Sequence, residues 1–468
     1  MKDILNSPFW DSRIHSDTVT KKERVLGYFF GPVSVILMNS ILSNYLNVYY
    51  TDVIQLGHIW NGWFLSFFPI AVKILDAATF ILMGVIVDRC RFRQGKARPW
   101  ILFSAPLLVI SMVLLFFFPT KNDTVLVIWI FFSYNLFYSV AYTAYNTCHT
   151  LMVPLSTRDR AERGRLSVLT NMQPMLSGMI VAVLFPTFIV PALGVNRDKW
   201  IILMTAIAAA AFPCILLEYF YTRERVTETD TAGKTDRKKR SVKEQLRLCM
   251  KSKVWAALVI YLILQHTVTL VANYSTFYYC NWVLGSYNDG KTQALYYAIG
   301  NFPLGLGMLL CRPVCRKLGR RNAMAGGFLL AAVGAGICLL NPRNLSAVLL
   351  GQAVKSIGLI PSTFMVSAML ADAMDDVELQ TGVRCDGFTS SVYNTVFTLT
   401  TGLAMCILNL GVTQLGYRAP GLDGSIPVQT PLVQAFFIFG AVGMQVLVFP
   451  IIALVLLRTP DDRKRKKL

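Results

Sequence analysis

The chain has 468 residues, of which 54% are hydrophobic and 15% charged, and its mean hydropathy is +0.50. A soluble domain carries more charge than this on its surface, so a bilayer is the expected solvent. The net charge of +19 would suit a nucleic-acid binder, but the basic residues fall in alternate loops between apolar stretches, so no nucleic-acid partner is expected.

Taken in chain order, the segment up to Arg24 is polar and lacks the apolar run of a signal peptide, so the first membrane helix is expected to direct insertion. Apolar stretches of roughly 20 residues, enough to cross about 30 Å of hydrocarbon, then recur. They are predicted at 27–50, 60–87, 99–119, 125–153, 166–194, 200–221, 254–284, 292–312, 323–341, 345–371, 387–415 and 431–457. Backbone polar groups in lipid must be satisfied within the segment, so these stretches are helices and the fold class is all-α membrane protein. Six precede a polar, Lys/Arg-rich linker and six follow it. The predicted organisation is a bundle over 1–221, a cytoplasmic linker over 222–253, a second bundle over 254–457 and a basic tail over 458–468.

One set of loops holds Lys21, Lys22 and Arg24, then Arg89, Arg91, Arg93, Lys96 and Arg98, then Arg158, Arg160, Arg163 and Arg165. The linker, then Arg316, Lys317, Arg320 and Arg321, and the tail from Arg463 to Lys467 continue this set. The opposite loops hold only Lys121, Arg197, Lys199, Lys291, Arg343 and Arg418. The positive-inside rule puts both termini in the cytoplasm, as an even number of spans requires, and the expected location is the cell membrane. Most of the ten cysteines fall inside predicted helices without metal-ligand spacing; Cys311 and Cys315, one turn apart, read as packing. A basic turn follows the second span at Gly84 to Arg89 and the eighth at Arg316 to Arg321. Gly84 permits close helix approach, and Asp88 can cap a helix end and pair with an Arg, which suggests a conformational role shared with Arg89.

Several motifs together resemble the glycoside-pentoside-hexuronide:cation symporter family, of the melibiose-permease type. They are Tyr50-Thr51-Asp52-Val53, Asp76-Ala77, Met83-Gly84, Gly95-Lys96-Ala97-Arg98-Pro99-Trp100-Ile101-Leu102, Val153-Pro154, and Asp159, Glu162 and Arg163. Ala371-Asp372, Thr381-Gly382-Val383-Arg384 and Asp386-Gly387 match in the second half, so the resemblance spans nearly the whole chain. It implies a major-facilitator fold of about twelve helices in two six-helix bundles, a central cavity, alternating access, and symport of a solute with Na⁺ or H⁺; Arg163 and Asp386 join the conformational motif.

The resemblance places Ile36, Asp76, Phe80 and Asn146 where the family has cation-binding carboxylates, and only Asp76 keeps one. Na⁺ wants several hard oxygen ligands, whereas one carboxylate suffices for a proton, so H⁺ is favoured. Asn171, Thr150 and Thr398 stand at the family's arginine, tryptophan and lysine of the sugar site, so the solute is not expected to be melibiose-like.

Read from the residues themselves, charges inside predicted spans point most directly to function, because one near a helix centre costs roughly 2.5–3.5 kcal/mol to insert. Lys73 and Asp76, three apart, can meet on one helix face. Lys355 either reaches the cavity from the opposite bundle or snorkels to an interface. Tyr142, Asn146, His149 and Thr150 put hydrogen-bonding groups on one stripe, suited to a hydroxylated solute or to polar packing, and His149 is a candidate proton relay. Asn394 on the eleventh helix, together with Gln173, Gln265, His266, Asn273 and Asn301, extends the polar inventory, and Tyr274, Tyr278, Tyr279 and Trp282 read as an interfacial aromatic belt. No nucleotide-binding loop, zinc-hydrolase motif or large soluble domain is present, so an enzyme and a cofactor are not expected. The expected partners are a small polar solute and the bilayer, with the chain a monomer. An uncoupled facilitator, an amphiphile or lysolipid carrier, and a non-transporting sensor are the alternatives.

Overall fold

The computed structural model describes residues 8–89, 92–119, 122–157, 159–226, 242–381, 386–421 and 425–458. Among them run twelve long helices. In chain order α1 is Glu23–Val53, α2 Trp63–Arg89, α3 Arg98–Phe116, and α4 runs from Asp123–Asn135 through a π turn into Thr143–Ser156. Next, α5 begins as Arg160–Met179 and continues through Ile180–Ile189 to Val190–Leu193, and α6 is Arg197–Phe220. A short linker helix, Val242–Cys249, precedes α7, Lys253–Leu284. The rest are α8 Lys291–Leu318, α9 Arg320–Leu340, α10 Leu345–Thr381, α11 Asp386–Gln414 and α12 Pro431–Leu457.

Eleven of these are long and apolar enough to cross a membrane. The twelfth, α8, is 28 residues long and carries Lys291, Arg312, Arg316 and Lys317. The helices overrun several predicted stretches: α5 starts before 166, α8 runs past 312, and α10 runs ten residues past 371. Hydropathy marks only the part immersed in hydrocarbon, whereas the hydrogen-bond ladder continues through polar residues until a cap or breaker stops it.

Helices α1 to α6 pack on one another, chiefly α3 and α1 against α6, and α7 to α12 do likewise, chiefly α9 against α10 and α12. The α9–α10 seam is built on absent side chains. A Cβ on Gly334 would lie 2.4 Å from the Lys355 amide nitrogen, and one on Gly358 would lie 2.5 Å from the Gly327 carbonyl oxygen. Small residues let backbones approach where lipid supplies no hydrophobic drive.

The two halves meet through α2 with α11 and α5 with α8. Among the described residues, the hydrogen bonds that join the halves lie at the end opposite the basic loops. Asn409 donates to the Leu65 carbonyl at 2.7 Å, Gln414 to that of Asn61 at 3.0 Å and Gln55 to that of Pro420 at 2.9 Å. This conformation is therefore shut at the less basic end.

On the basic side, the Gly95-to-Trp100 motif forms a clasp. The Glu224 carboxylate accepts the backbone N–H groups of Lys96, Ala97 and Arg98 at 2.8–2.9 Å, satisfying amides at the start of α3 that have no partner within the helix. Gly95 has φ +115°, and a Cβ there would strike that carboxylate. Arg98 donates to the Tyr219 carbonyl at 2.9 and 3.2 Å, with its guanidinium over the Tyr219 ring.

Candidate functional site

An oppositely charged pair inside a membrane span sits on α2. One helical turn brings Lys73 Nζ to 2.7 Å from Asp76 Oδ2, with Asp76 only 3% exposed. The Ser139 hydroxyl donates to Asp76 Oδ1 at 2.6 Å. Ser139 lies in the π turn Leu136–Tyr142 of α4, where the widened helix shifts the register of its side chains. The Lys73 ammonium also faces the Tyr138 and Tyr134 rings at 4.4 and 5.6 Å. From the other half, Gly402 of α11 comes so close that a Cβ there would touch the Lys73 side chain and the Pro69 carbonyl. The pair thus lies at the seam of α2, α4 and α11, with both carboxylate oxygens engaged. Among the described residues no group of three or more His, Cys, Asp or Glu converges as for a metal ion.

The structure divides the predicted α4 stripe. Tyr142 and Asn146 are half-buried, and Thr150 is exposed and donates to the Asn146 and Thr147 carbonyls of its own helix. His149 turns into the first bundle instead. On α11, Asn394 is exposed and Thr398 donates to its carbonyl at 3.0 Å. Lys355 neither lines the seam between the halves nor snorkels. It is buried among α8, α9 and α10, with Nζ 3.5 Å from the Tyr296 hydroxyl, because the Gly334 gap draws α10 onto α9 at that level. The side chains of Asn171, Asp88, Arg89, Arg163 and Asp386 lie outside the described residues. Gly84 is half-buried, and among the described residues no atom comes within 4 Å of where its Cβ would be, so the expected close approach is not made among them.

The aromatic belt expected on α7 is also corrected. Tyr278 and Tyr279 are fully buried, and Tyr279 donates to the Pro342 carbonyl, because this face of α7 packs inward rather than toward headgroups. Tyr278 belongs to a network between the halves. Its hydroxyl is 2.8 Å from Thr51 Oγ1 and accepts from Asn47, while Thr51 and Tyr417 donate to Asp52 Oδ1 at 2.8 and 3.1 Å.

Sequence reasoning passed over Asp52 as a network residue and missed Glu218 altogether. Glu218 is 1% exposed near the end of α6. Its Oε1 is 2.7 Å from His149 Nδ1, and its Oε2 accepts from the Tyr145 hydroxyl. The available signal was a carboxylate inside the predicted 200–221 span, disguised by its nearness to that span's end.

Residues 27–462 match the MFS/sugar transport protein family. The chain belongs to this family. Its relatives include an isoprimeverose transporter of Lactiplantibacillus pentosus, 25% identical over 87% of this chain and 83% of the relative. A putative glycoside/cation symporter of Escherichia coli is 24% identical over 83% and 81% of the two chains. A glucuronide carrier protein homolog of Escherichia coli is 26% identical over 87% and 86%. The nucleoside transporter NupG has the same fold, with TM-score 0.60 and 12% identity over 94% of this chain and 99% of that one. A bacterial homologue of the lysosomal transporter Spinster also shares it, at TM-score 0.61 and 16% identity over 94% and 97%. The protein is thus a multi-pass membrane transporter of the major-facilitator fold that moves a small-molecule solute, and it is not an enzyme.

Proposed function

We propose that this transporter is a cation-coupled symporter of a small polar solute of the glycoside, pentoside or uronate class, working by alternating access with H⁺ as its coupling ion. The observation that carries the reading is the buried Lys73–Asp76 pair at the seam of the two halves. A proton taken by Asp76 neutralises the carboxylate and frees Lys73, which alters what α2 presents to α11. Na⁺ is less well served, because Ser139 and Lys73 already engage both Asp76 oxygens and Ile36 and Phe80 offer no oxygen. The solute class is supported by the names of the relatives and by the accessible groups of Asn146, Thr150, Asn394 and Thr398. Gly84, Asp88, Arg89, Arg163 and Asp386 serve the conformational change, and Tyr142 and Asn171 complete the polar set of the transport path. We place the protein in the cell membrane as a monomer with both termini on the cytoplasmic, basic side, and with no cofactor.

One observation favours an uncoupled carrier as the second reading: Lys73 already supplies the positive charge that a transported cation would bring. Uptake of labelled glycosides, pentosides and uronates into proteoliposomes, with H⁺ and Na⁺ gradients imposed separately, decides between them. Accumulation driven by the H⁺ gradient alone is expected. Solute that equilibrates without responding to either gradient establishes the uncoupled carrier, and binding without flux establishes a sensor.

A further inference from the structure

A second buried acid–base pair lies away from the Lys73–Asp76 seam, inside the first bundle. Glu218 of α6 is held by two α4 residues one turn apart, Tyr145 and His149, whose rings lie nearly parallel at 5.8 Å. The Glu218 backbone is pressed by α1, where a Cβ on Gly31 would stand 2.6 Å from Glu218 Cβ. The Thr222 hydroxyl donates to the Glu218 carbonyl at 2.7 Å. Tyr28 of α1 lies close to Glu218, with Glu23 of α1 and Arg225 around it, and Tyr142 of α4 and Cys214 of α6 lie close to Tyr145. Glu23 and Arg225 pair with each other at 2.8 Å, so that charge is already balanced. Asn146 and Thr150, which border His149 on α4, remain partly accessible, and the His149 side chain itself keeps 7% exposure.

We propose that His149 and Glu218 form a proton-binding site of the transport cycle, distinct from Asp76, in which His149 takes the proton from the central path and carries it as an imidazolium paired with the Glu218 carboxylate. This rests on the symport reading above. When His149 donates Nδ1–H to Glu218 Oε1, Nε2 is the basic atom left to take a proton from water. Loading turns a neutral imidazole beside a carboxylate into an imidazolium–carboxylate pair, so a buried net charge of −1 becomes zero; unloading returns the same proton from Nε2 to water. A site whose net charge changes at the contact of α1, α4 and α6 makes their packing depend on proton load.

Two measurements test it. The thermal unfolding of purified full-length protein in detergent, recorded against pH, reads proton binding without any solute. Wild type is expected to show a pH-dependent step that Glu218→Gln and His149→Gln each flatten. A flat wild-type profile, or variants that keep the step, overturns the proposal even if symport is real. In proteoliposomes, both variants are expected to lose H⁺-driven accumulation of the panel solute by tenfold or more while counterflow exchange stays within about twofold. Intact accumulation overturns the proposal. Failure of wild type to move any panel solute sinks the symport reading instead, and leaves the unfolding profile to decide on proton binding. Should Glu218→Gln not fold, His149→Gln, which changes only the basic partner, carries both tests.

Discussion

Asp76 is buried with two partners, and the chemistry of each makes a different prediction. Removing Lys73 would strand a carboxylate in a low-dielectric setting, which typically costs about 3–5 kcal/mol, more than the pair itself contributes. Lys73→Met is therefore expected to lower the unfolding midpoint in detergent markedly. Lys73→Met combined with Asp76→Asn should recover most of the loss, because no unpaired charge remains. Equal destabilisation by the single and double variants would show that Lys73 acts through packing on Tyr134 and Tyr138 rather than through Asp76. On the transport side, Asp76→Asn is expected to abolish concentrative uptake while sparing counterflow, since exchange at equal concentrations needs no net proton movement. Unchanged accumulation in that variant would remove Asp76 from the coupling.

At the scale of elements, the α3 start and the α9–α10 seam show two ways a polytopic chain fixes its helices. Three backbone N–H groups converge on Glu224. Glu224→Ala gives up this charged cap, at a cost of about 1–2 kcal/mol by comparison with other N-terminal caps. Gly95→Ala should destabilise as well, for two separate reasons: its φ of +115° and the collision with Glu224. Unfolding in detergent reads both, and a wild-type midpoint for Gly95→Ala would mean that the loop can reshape without loosening α3. At the seam, Gly358→Leu must push α10 off α9, because the obstructing atom is the Gly327 carbonyl oxygen rather than a flexible side chain. Overpacking of this kind costs about 1–3 kcal/mol or more, and loss of the monodisperse peak in gel filtration is the expected readout.

For the whole molecule, the distribution of contacts between the halves defines the conformation. The bonds of Asn409, Gln414, Gln55 and Tyr417 sit at one end. A cavity of about 220 Å³, bordered by Thr51, Gln55, His58, Leu65, Thr413 and Tyr417, lies at the same end. Alternating access requires these bonds to break together. Tyr417→Phe removes one donor to Asp52, and a hydrogen bond worth about 1 kcal/mol shifts a two-state equilibrium roughly fivefold. A cysteine introduced at Thr413 should then react faster with a membrane-impermeant maleimide, by a factor of that order. Unchanged labelling would mean that the α2–α11 contacts alone hold this end shut.

The all-helical membrane class, the order and approximate extent of the helices, and the family are legible in the amino-acid sequence without any structure. These follow from hydrophobic run length, from the alternation of basic loops and from local motifs, none of which needs a distance between remote residues. The Lys73–Asp76 contact was legible for the same reason, as a spacing of three along one helix. Tertiary structure alone decided where the other polar side chains point. His149 and Thr150 are adjacent in sequence, yet about 100° of helical rotation sends one to Glu218 and leaves the other accessible. Lys355 looked the same as a cavity residue or an interfacial one until glycine gaps in α9 drew α10 inward. Tyr278 read as a headgroup anchor, and only the meeting of α1, α7 and the loop bearing Tyr417 made it a bond between the halves. A one-dimensional pattern records how apolar a helix is, whereas the partner that a buried polar group finds depends on which face a neighbouring helix covers.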